Sequence, residues 1–328
     1  RMLTGLASRA LGGTVSLSAQ GTLEQSVVDG KLVMKSAGLY LTGKGAADLA
    51  DNAFDAFEVR TVLRNPKLFG EGLTLKGAGA VATLDGPFRD LAVAHRLRVA
   101  ELDAGMKLFD LRQAATLTFD DGRLTLPLAA TVGRIETGTA ALDPHLRGGK
   151  LTGTVVLDRN ALASDDLSAI FPGLAARLVL RGNTAKGAYA LAGPVAARGF
   201  PLENLGTVDA DAKIVFRIGA KQPWNLRANL AGRMPRVTNA TLTTIAGGNI
   251  RFKGGVSLGG GQPVVFTGAS LNATKLALTL GGRVVDGRTT LAGSGRHVDY
   301  GPFTVEAAIA SDGPPAANPA ISLTGLLG

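Results

Sequence analysis

Apolar and polar residues alternate along most of this chain. Leu73 and Leu75, Ile214, Phe216 and Ile218, Ile250 and Phe252, Leu276, Leu278 and Leu280, and Phe303 and Val305 each skip one position. The skipped residues are in most cases Lys, Arg, Thr or small side chains. A period of two places successive side chains on opposite faces of an extended strand. The pattern predicts roughly twenty strands of about five to nine residues.

Asp-Gly recurs between such strands, in SVVDGKLVM at 26–34, TFDDGRLTL at 118–126 and RVVDGRTTL at 283–291. A type I′ turn needs positive φ at both central residues, which Gly accepts freely and Asp tolerates. A turn at Asp121-Gly122 sets Phe119 opposite Leu124 and Leu117 opposite Leu126, with Thr118 facing Thr125. The same turn at Asp29-Gly30 sets Val27 against Leu32 and Gln25 against Met34. At Asp286-Gly287 it sets Leu280 against Gly293 and Gly282 against Leu291, large facing small, as a strongly curved sheet requires.

Helical signals are few. SDDLSAIFPGL at 164–174 is the best, with Ser164 as a cap, Asp165 and Asp166 at the positive end of the dipole and Pro172 discouraging continuation. AADLADNAF at 46–54 reads either as a second short helix or as an irregular connection between strands. SDGPPAANP at 311–319 is the stretch that reads as a linker. The expected organisation is a continuous β segment over 1–310, then a Pro/Gly-rich connection and the start of a further strand over 311–328.

Composition sharpens this picture. The 328 residues are 45% hydrophobic but only 5% aromatic and 19% charged, with 45 glycines, a mixture suited to many short apolar strands and many turns. No apolar run is long enough for a membrane-spanning helix. The chain starts on Arg and stops on GLLG in mid-pattern, so it reads as a segment of a longer protein. Without cysteine there is no disulfide framework and no thiolate metal site. The formal charge of +9 comes from Lys and Arg scattered singly, with no basic stripe interleaved with aromatics, so a solvated face is expected and no nucleic acid.

Catalytic chemistry finds little footing. His95, His145 and His297 stand far apart in no metal-ligand spacing, and read as exposed strand or turn histidines. The carboxylates of DADAK at 209–213 and LDPH at 142–145 read as turn chemistry. No nucleophile elbow, phosphate loop or dinucleotide fingerprint occurs. The chain is expected to be no enzyme and to need no cofactor or metal. Trp224, the single tryptophan, reads as a rim residue rather than a partner anchor.

The informative feature is the apolar side of so many amphipathic strands. It can be hidden in stacked sandwiches, in a closed barrel, or in a gutter whose interior is covered by something other than protein. A transmembrane barrel would want aromatic girdles, and the chain has one Trp and three Tyr. No constant solenoid period is present. The expected fold class is all-β: a long, strongly curved antiparallel sheet folded into a gutter with a hydrophobic groove and at most one or two short helices. Its lining is expected to comprise Leu32, Leu73, Leu75, Leu117, Phe119, Leu124, Leu126, Leu128, Ile214, Phe216, Ile218, Ile250, Phe252, Leu276, Leu278, Leu280, Leu291, Phe303 and Val305. Such a lining would solvate phospholipid acyl chains at about 0.8 kcal/mol per methylene. A structural protein built of several sandwiches remains the alternative.

The stretch GNTAKGAYALAGPVAARGFPLENLGTVDADAKIVFRIG at 182–219, and the following 225–307 with its phrase GSGRHVDYGPF, resemble the TamB and AsmA-like family. Residues 1–180 share only the texture of glycine-punctuated alternating strands. The resemblance implies a large protein of the Gram-negative periplasm, anchored in the inner membrane and crossing as a folded-over sheet that carries phospholipid. It also implies an Omp85-class outer-membrane barrel as partner, and a second role as a scaffold for outer-membrane barrel assembly. The family's anchor and partner-binding regions would lie outside this segment, and the resemblance brings no catalytic residue.

Overall fold

The computed structural model describes residues 14–68, 73–138, 143–219, 222–260, 262–285, 288–310 and 320–325. The chain divides into an N-terminal unit, Arg1–Pro172, and a C-terminal unit, Gly173–Gly328. As the alternation predicts, the chain is nearly all β. The strands exceed the expected lengths, reaching sixteen residues in β15.

In the N-terminal unit β1 (Val15–Glu24), β2 (Val27–Ser36), β3 (Leu39–Asp48) and β4 (Ala53–Leu63) pair antiparallel in chain order. The short β5 (Thr74–Lys76) and β6 (Gly79–Pro87) share β7 (Asp90–Asp103) as partner, and β6 also pairs with β4. β8 (Lys107–Asp120), β9 (Arg123–Glu136), β10 (Arg147–Asp158) and β11 (Ala161–Phe171) continue the meander.

The C-terminal unit repeats the construction with β12 (Leu174–Asn183), β13 (Ala188–Leu202), β14 (Gly206–Gly219), β15 (Gln222–Val237), β16 (Arg251–Gly259), β17 (Gln262–Asn272), β18 (Leu276–Val285), β19 (Arg288–His297), β20 (Gly301–Ala310) and β21 (Ala320–Gly325). Each pairs antiparallel with the next. Register shifts interrupt several ladders, for example between Lys44 and Ala46, Thr152 and Val156, and Phe266 and Ala269. An extra residue in one strand bends it and increases its twist.

Asp121 and Gly122 form the expected turn, with φ of 39° and 87°, and Phe119 faces Leu124 while Thr118 faces Thr125. Asp286-Gly287 lies outside the described residues, but Val285 faces Arg288, Leu280 faces Gly293 and Gly282 faces Leu291. Asp29-Gly30 is not a turn. It lies inside β2, where Gly30 stands between Gly21 and Gly45. The chain turns instead at Gln25-Ser26, both at positive φ. That register matches Leu17 with Met34, Ala19 with Leu32 and Leu23 with Val28. A turn at Asp29-Gly30 would have opposed Gln25 to Met34 and Leu23 to Ser36, so cross-strand apolar matching outweighs the turn dipeptide.

The helix expected at 164–174 is a strand. Ser164 and Asp166 lie in β11, where the Asp166 carboxylate accepts the Thr154 amide at 2.7 Å and the Ser164 hydroxyl at 3.0 Å. These groups fasten the bulge of β10 rather than cap a helix. The Thr154 amide, then the Ser164 hydroxyl, hold the Asp166 carboxyl below its ordinary value. A carboxyl depressed in the folded state contributes stability above its unfolded value and loses it as the pH falls through the folded one. The Thr154 amide resonance should therefore titrate in acid with a midpoint below that of Asp in an unstructured peptide. Asp166→Asn should abolish the titration.

Residues 46–54 form no helix: 46–48 end β3, 53–54 begin β4, and the turn of 49–52 joins them, with Asp48 accepting the amides of Ala50 and Asp51. The helix that does form, α1 (Ala240–Ala246), joins β15 to β16. The Asn239 side chain accepts the Leu242 amide, and Gly247 closes the other end at φ 69°. Its last carbonyls are taken by the Lys275 amide at Ala246 and by His297 Nε2 at Ile245.

Candidate functional site

Residues directly opposite on an antiparallel ladder share a face, so the register sorts the side chains of each unit. In the C-terminal unit one row runs Gly232, Phe252, Leu271, Leu278, Gly295, Phe303. A second runs Leu180, Leu191, Phe216, Leu226, Leu258, and a third Ala269, Leu280, Gly293, Val305. Ile214, Phe216, Ile218, Phe252, Leu276, Leu278, Leu280, Leu291, Phe303 and Val305 thus lie on one apolar face. The opposite face carries Arg181, Lys213, Arg217, Arg227, Arg233, Arg251, Lys253, Arg283 and Arg296.

The N-terminal unit has the same division. Its apolar face includes the row Leu32, Gly43, Val59, Ala82, His95, Ala115, and on the same side Leu117, Phe119, Leu124, Leu126 and Leu128. Leu73 precedes β5, and Leu75 falls in a different row, with Leu102 and Leu108. Strict alternation would place that row opposite Val93 and Leu97. Asp110, at φ 51°, interrupts the alternation of β8 beside it.

Burial separates two kinds of apolar residue. Of the nineteen expected lining residues, sixteen are half-buried and Ile218 is exposed. Ile250 and Leu276 are buried. Ile250 differs from the half-buried lining residues: it precedes β16, four residues after the end of α1, and is 1% exposed, while Ala246 is 0% exposed. His297 is buried there too, and not an exposed strand residue as expected. Its Nε2 bonds the Ile245 carbonyl and its Nδ1 accepts the Asp299 amide, which fixes the orientation of the ring in a structural role.

The apolar layer is thin because large side chains lie over glycines. A Cβ on Gly232 would stand 2.6 Å from Phe252 Cζ, and one on Gly293 2.7 Å from Leu280 Cδ2. Phe57 covers Gly43 and Phe303 covers Gly295 in the same way. Between Leu230, Phe252, Val256, Phe266, Leu271 and Leu278 a hollow of about 300 Å³ opens on the C-terminal apolar face. Trp224 is half-buried, with its ring 6.1 Å from that of Phe216.

Leu226, Leu230, Val256, Phe266 and Leu271 belong to this face and were not among the expected lining residues. Leu226 and Leu230 keep the period-two signal in NLRANL. Phe266 and Leu271 do not, because the register shift near Gly268, at φ 56°, moves the face by one residue.

Among the polar side chains on the N-terminal apolar face are His95 and the buried Gln113. Gln113 donates to the Pro127 carbonyl at 2.8 Å and accepts the Ala129 amide at 2.9 Å, bridging β8 to β9 around a proline that has no N–H to give. Of the carboxylates expected in turns, Asp143 accepts from Thr137 and Gly138, whereas Asp209 lies inside β14 and accepts the Gly199 amide at the bulge of β13. Among the described residues no group of His, Asp and Glu is arranged to hold a metal ion, and no helix is long and apolar enough to cross a membrane. Compared with known proteins, the chain matches no family model, no curated protein and no solved structure.

Proposed function

We propose that this chain is a lipid-carrying β segment, in which phospholipid acyl chains lie against the apolar face of each unit and headgroups stay at the aqueous margin. The observation that carries the reading is the half-burial of that face. A packed sandwich would take Leu126, Phe216 and Leu278 fully out of water, yet each keeps part of its surface accessible.

An acyl chain covering such rows gains about 0.8 kcal/mol per methylene removed from water. Leu, Val, Ile and Phe offer no directional bond, so neighbouring positions along the strand-to-strand direction are nearly equivalent and a chain meets no deep trap. The TamB and AsmA-like resemblance supplies the setting of the proposal. It would place the parent protein in the periplasm between an inner-membrane anchor and an Omp85-class barrel.

Alternation provides an internal control for the test. A photo-crosslinking residue at Leu126 or Leu278 should capture phospholipid in cells, whereas one at Thr125 or Thr279, the adjacent position on the other face, should not. Equal lipid capture from both faces would sink the reading. Capture of outer-membrane barrel strands in place of lipid would favour the assembly scaffold, which uses strand edges rather than the apolar face.

A further inference from the structure

We propose that the polar face of the N-terminal unit holds a binding site for a phosphate-bearing amphiphile, in a hollow rimmed by Arg60, Arg96, Arg98 and Arg112. The hollow has a volume of about 770 Å³ and no carboxylate lines it. Register builds it from two adjacent rows, Arg60, Val81, Arg96 and Val62, Gly79, Arg98, Arg112. These rows lie on the face opposite Leu117 and Leu126, so the site is independent of the acyl-chain reading above.

Like charges directly opposite on a ladder destabilise it, and Arg98 and Arg112 are such a pair. Arg96 projects from the same face of β7, two residues from Arg98. Local carboxylates answer only part of this charge: Glu58 holds Arg60 at 2.8 Å, and Asp110 approaches Arg98 at 3.8 Å. Neither Arg96 nor Arg112 has a side-chain hydrogen bond or ion pair among the described residues. Guanidinium forks match the paired oxygens of a phosphate better than any other common charged side chain does.

Size and floor define the rest of the ligand. The hollow is far larger than a free phosphate, and small residues floor it, among them Ala78, Gly79, Ala114 and Ala129. Such a floor leaves room for a body and offers it no charged side chain. A phosphate joined to an apolar body satisfies both the rim and the floor, whereas an acidic peptide would satisfy the rim alone.

The test is calorimetric titration of the full chain at low salt with monomeric dihexanoyl phosphatidic acid, inorganic phosphate, dihexanoyl phosphatidylcholine and hexaglutamate. Phosphatidic acid should bind most tightly and weaken as salt rises. The double variant Arg98→Gln/Arg112→Gln should weaken it about tenfold or more, the loss expected for charge-assisted bonds. Arg112→Lys, which keeps the charge and loses the fork, should fall between. Leu126→Asp, on the other face, should leave the salt-sensitive, Arg98- and Arg112-dependent part of this binding in place while lowering lipid capture by a crosslinker at Leu124, so the two readings fail separately. Equal binding of inorganic phosphate, phosphatidylcholine or hexaglutamate would overturn the proposal. So would undiminished binding to the double variant, whose folding circular dichroism verifies.

Discussion

Ile250→Asp should leave the C-terminal unit unfolded, and Leu278→Asp should leave it folded. Both residues read alike in the sequence, as members of an alternating apolar strand, but they do different work. Ile250 is 1% exposed and its carbonyl accepts the Met234 amide, which ties its backbone to β15. A carboxylate there has no partner, and burying one uncompensated costs several kcal/mol, a large share of the roughly 5–15 kcal/mol that holds a domain folded. Leu278 keeps part of its surface in water and can turn a carboxylate toward it, at a cost of about 1–2 kcal/mol. Urea titration followed by Trp224 fluorescence and circular dichroism reads both. Unfolding of Leu278→Asp to the same extent would show that the apolar face is a packed core. That result would favour the sandwich alternative over any lipid-carrying role.

The contrast shows which parts of this architecture sequence can reveal. Face assignment was legible wherever alternation ran unbroken, as from Leu276 to Leu280 and from Leu124 to Leu128, because a period of two needs no long-range information. It failed at bulges. The shift near Gly268 moves the apolar side of β17 by one residue, and a glycine in a strand does not announce whether it bends the chain, reverses it or makes room for a neighbour. Gly268 bends β17, Gly122 reverses the chain, and Gly30 lies inside β2 where a Cβ would crowd the Gln20 carbonyl.

The helix errors have a similar cause. Ser164, Asp165 and Asp166 have the composition of a helix start, but Asp166 spends its acceptor on the Thr154 amide of the neighbouring strand. α1 was unread because Thr241, Thr243, Thr244 and Ile245 are β-branched and favour strands. Its helicity rests on Asn239 and Gly247 at its ends and on the burial of Ala246. The candidate site divided along the same line: the apolar rows follow from alternation, whereas the arginine-rimmed hollow depends on how β4, β6, β7 and β8 align. Arg60 and Arg112 are distant in sequence and meet only through register.

Glycine opposite a large side chain was the one long-range feature visible from the start, and it yields the second large effect. Gly293→Val should destabilise the C-terminal unit by about 1–3 kcal/mol, the usual cost of overpacking, or more where the backbone itself must move. A Cβ at this position would overlap the Thr279 carbonyl oxygen and stand 2.7 Å from Leu280 Cδ2 and 3.0 Å from Leu280 Cα. Leu280 could swing aside, but the carbonyl belongs to β18 and cannot move without parting β18 from β19. The exposed neighbour Ala292→Val points to the polar face and should be nearly neutral, since a β-branched residue suits an extended strand. Denaturation midpoints of the two variants decide the matter. If Gly293→Val were as stable as Ala292→Val, Leu280 would not lie across Gly293. The thin, close-lying apolar layer on which the proposed function depends would then be wrong at its centre.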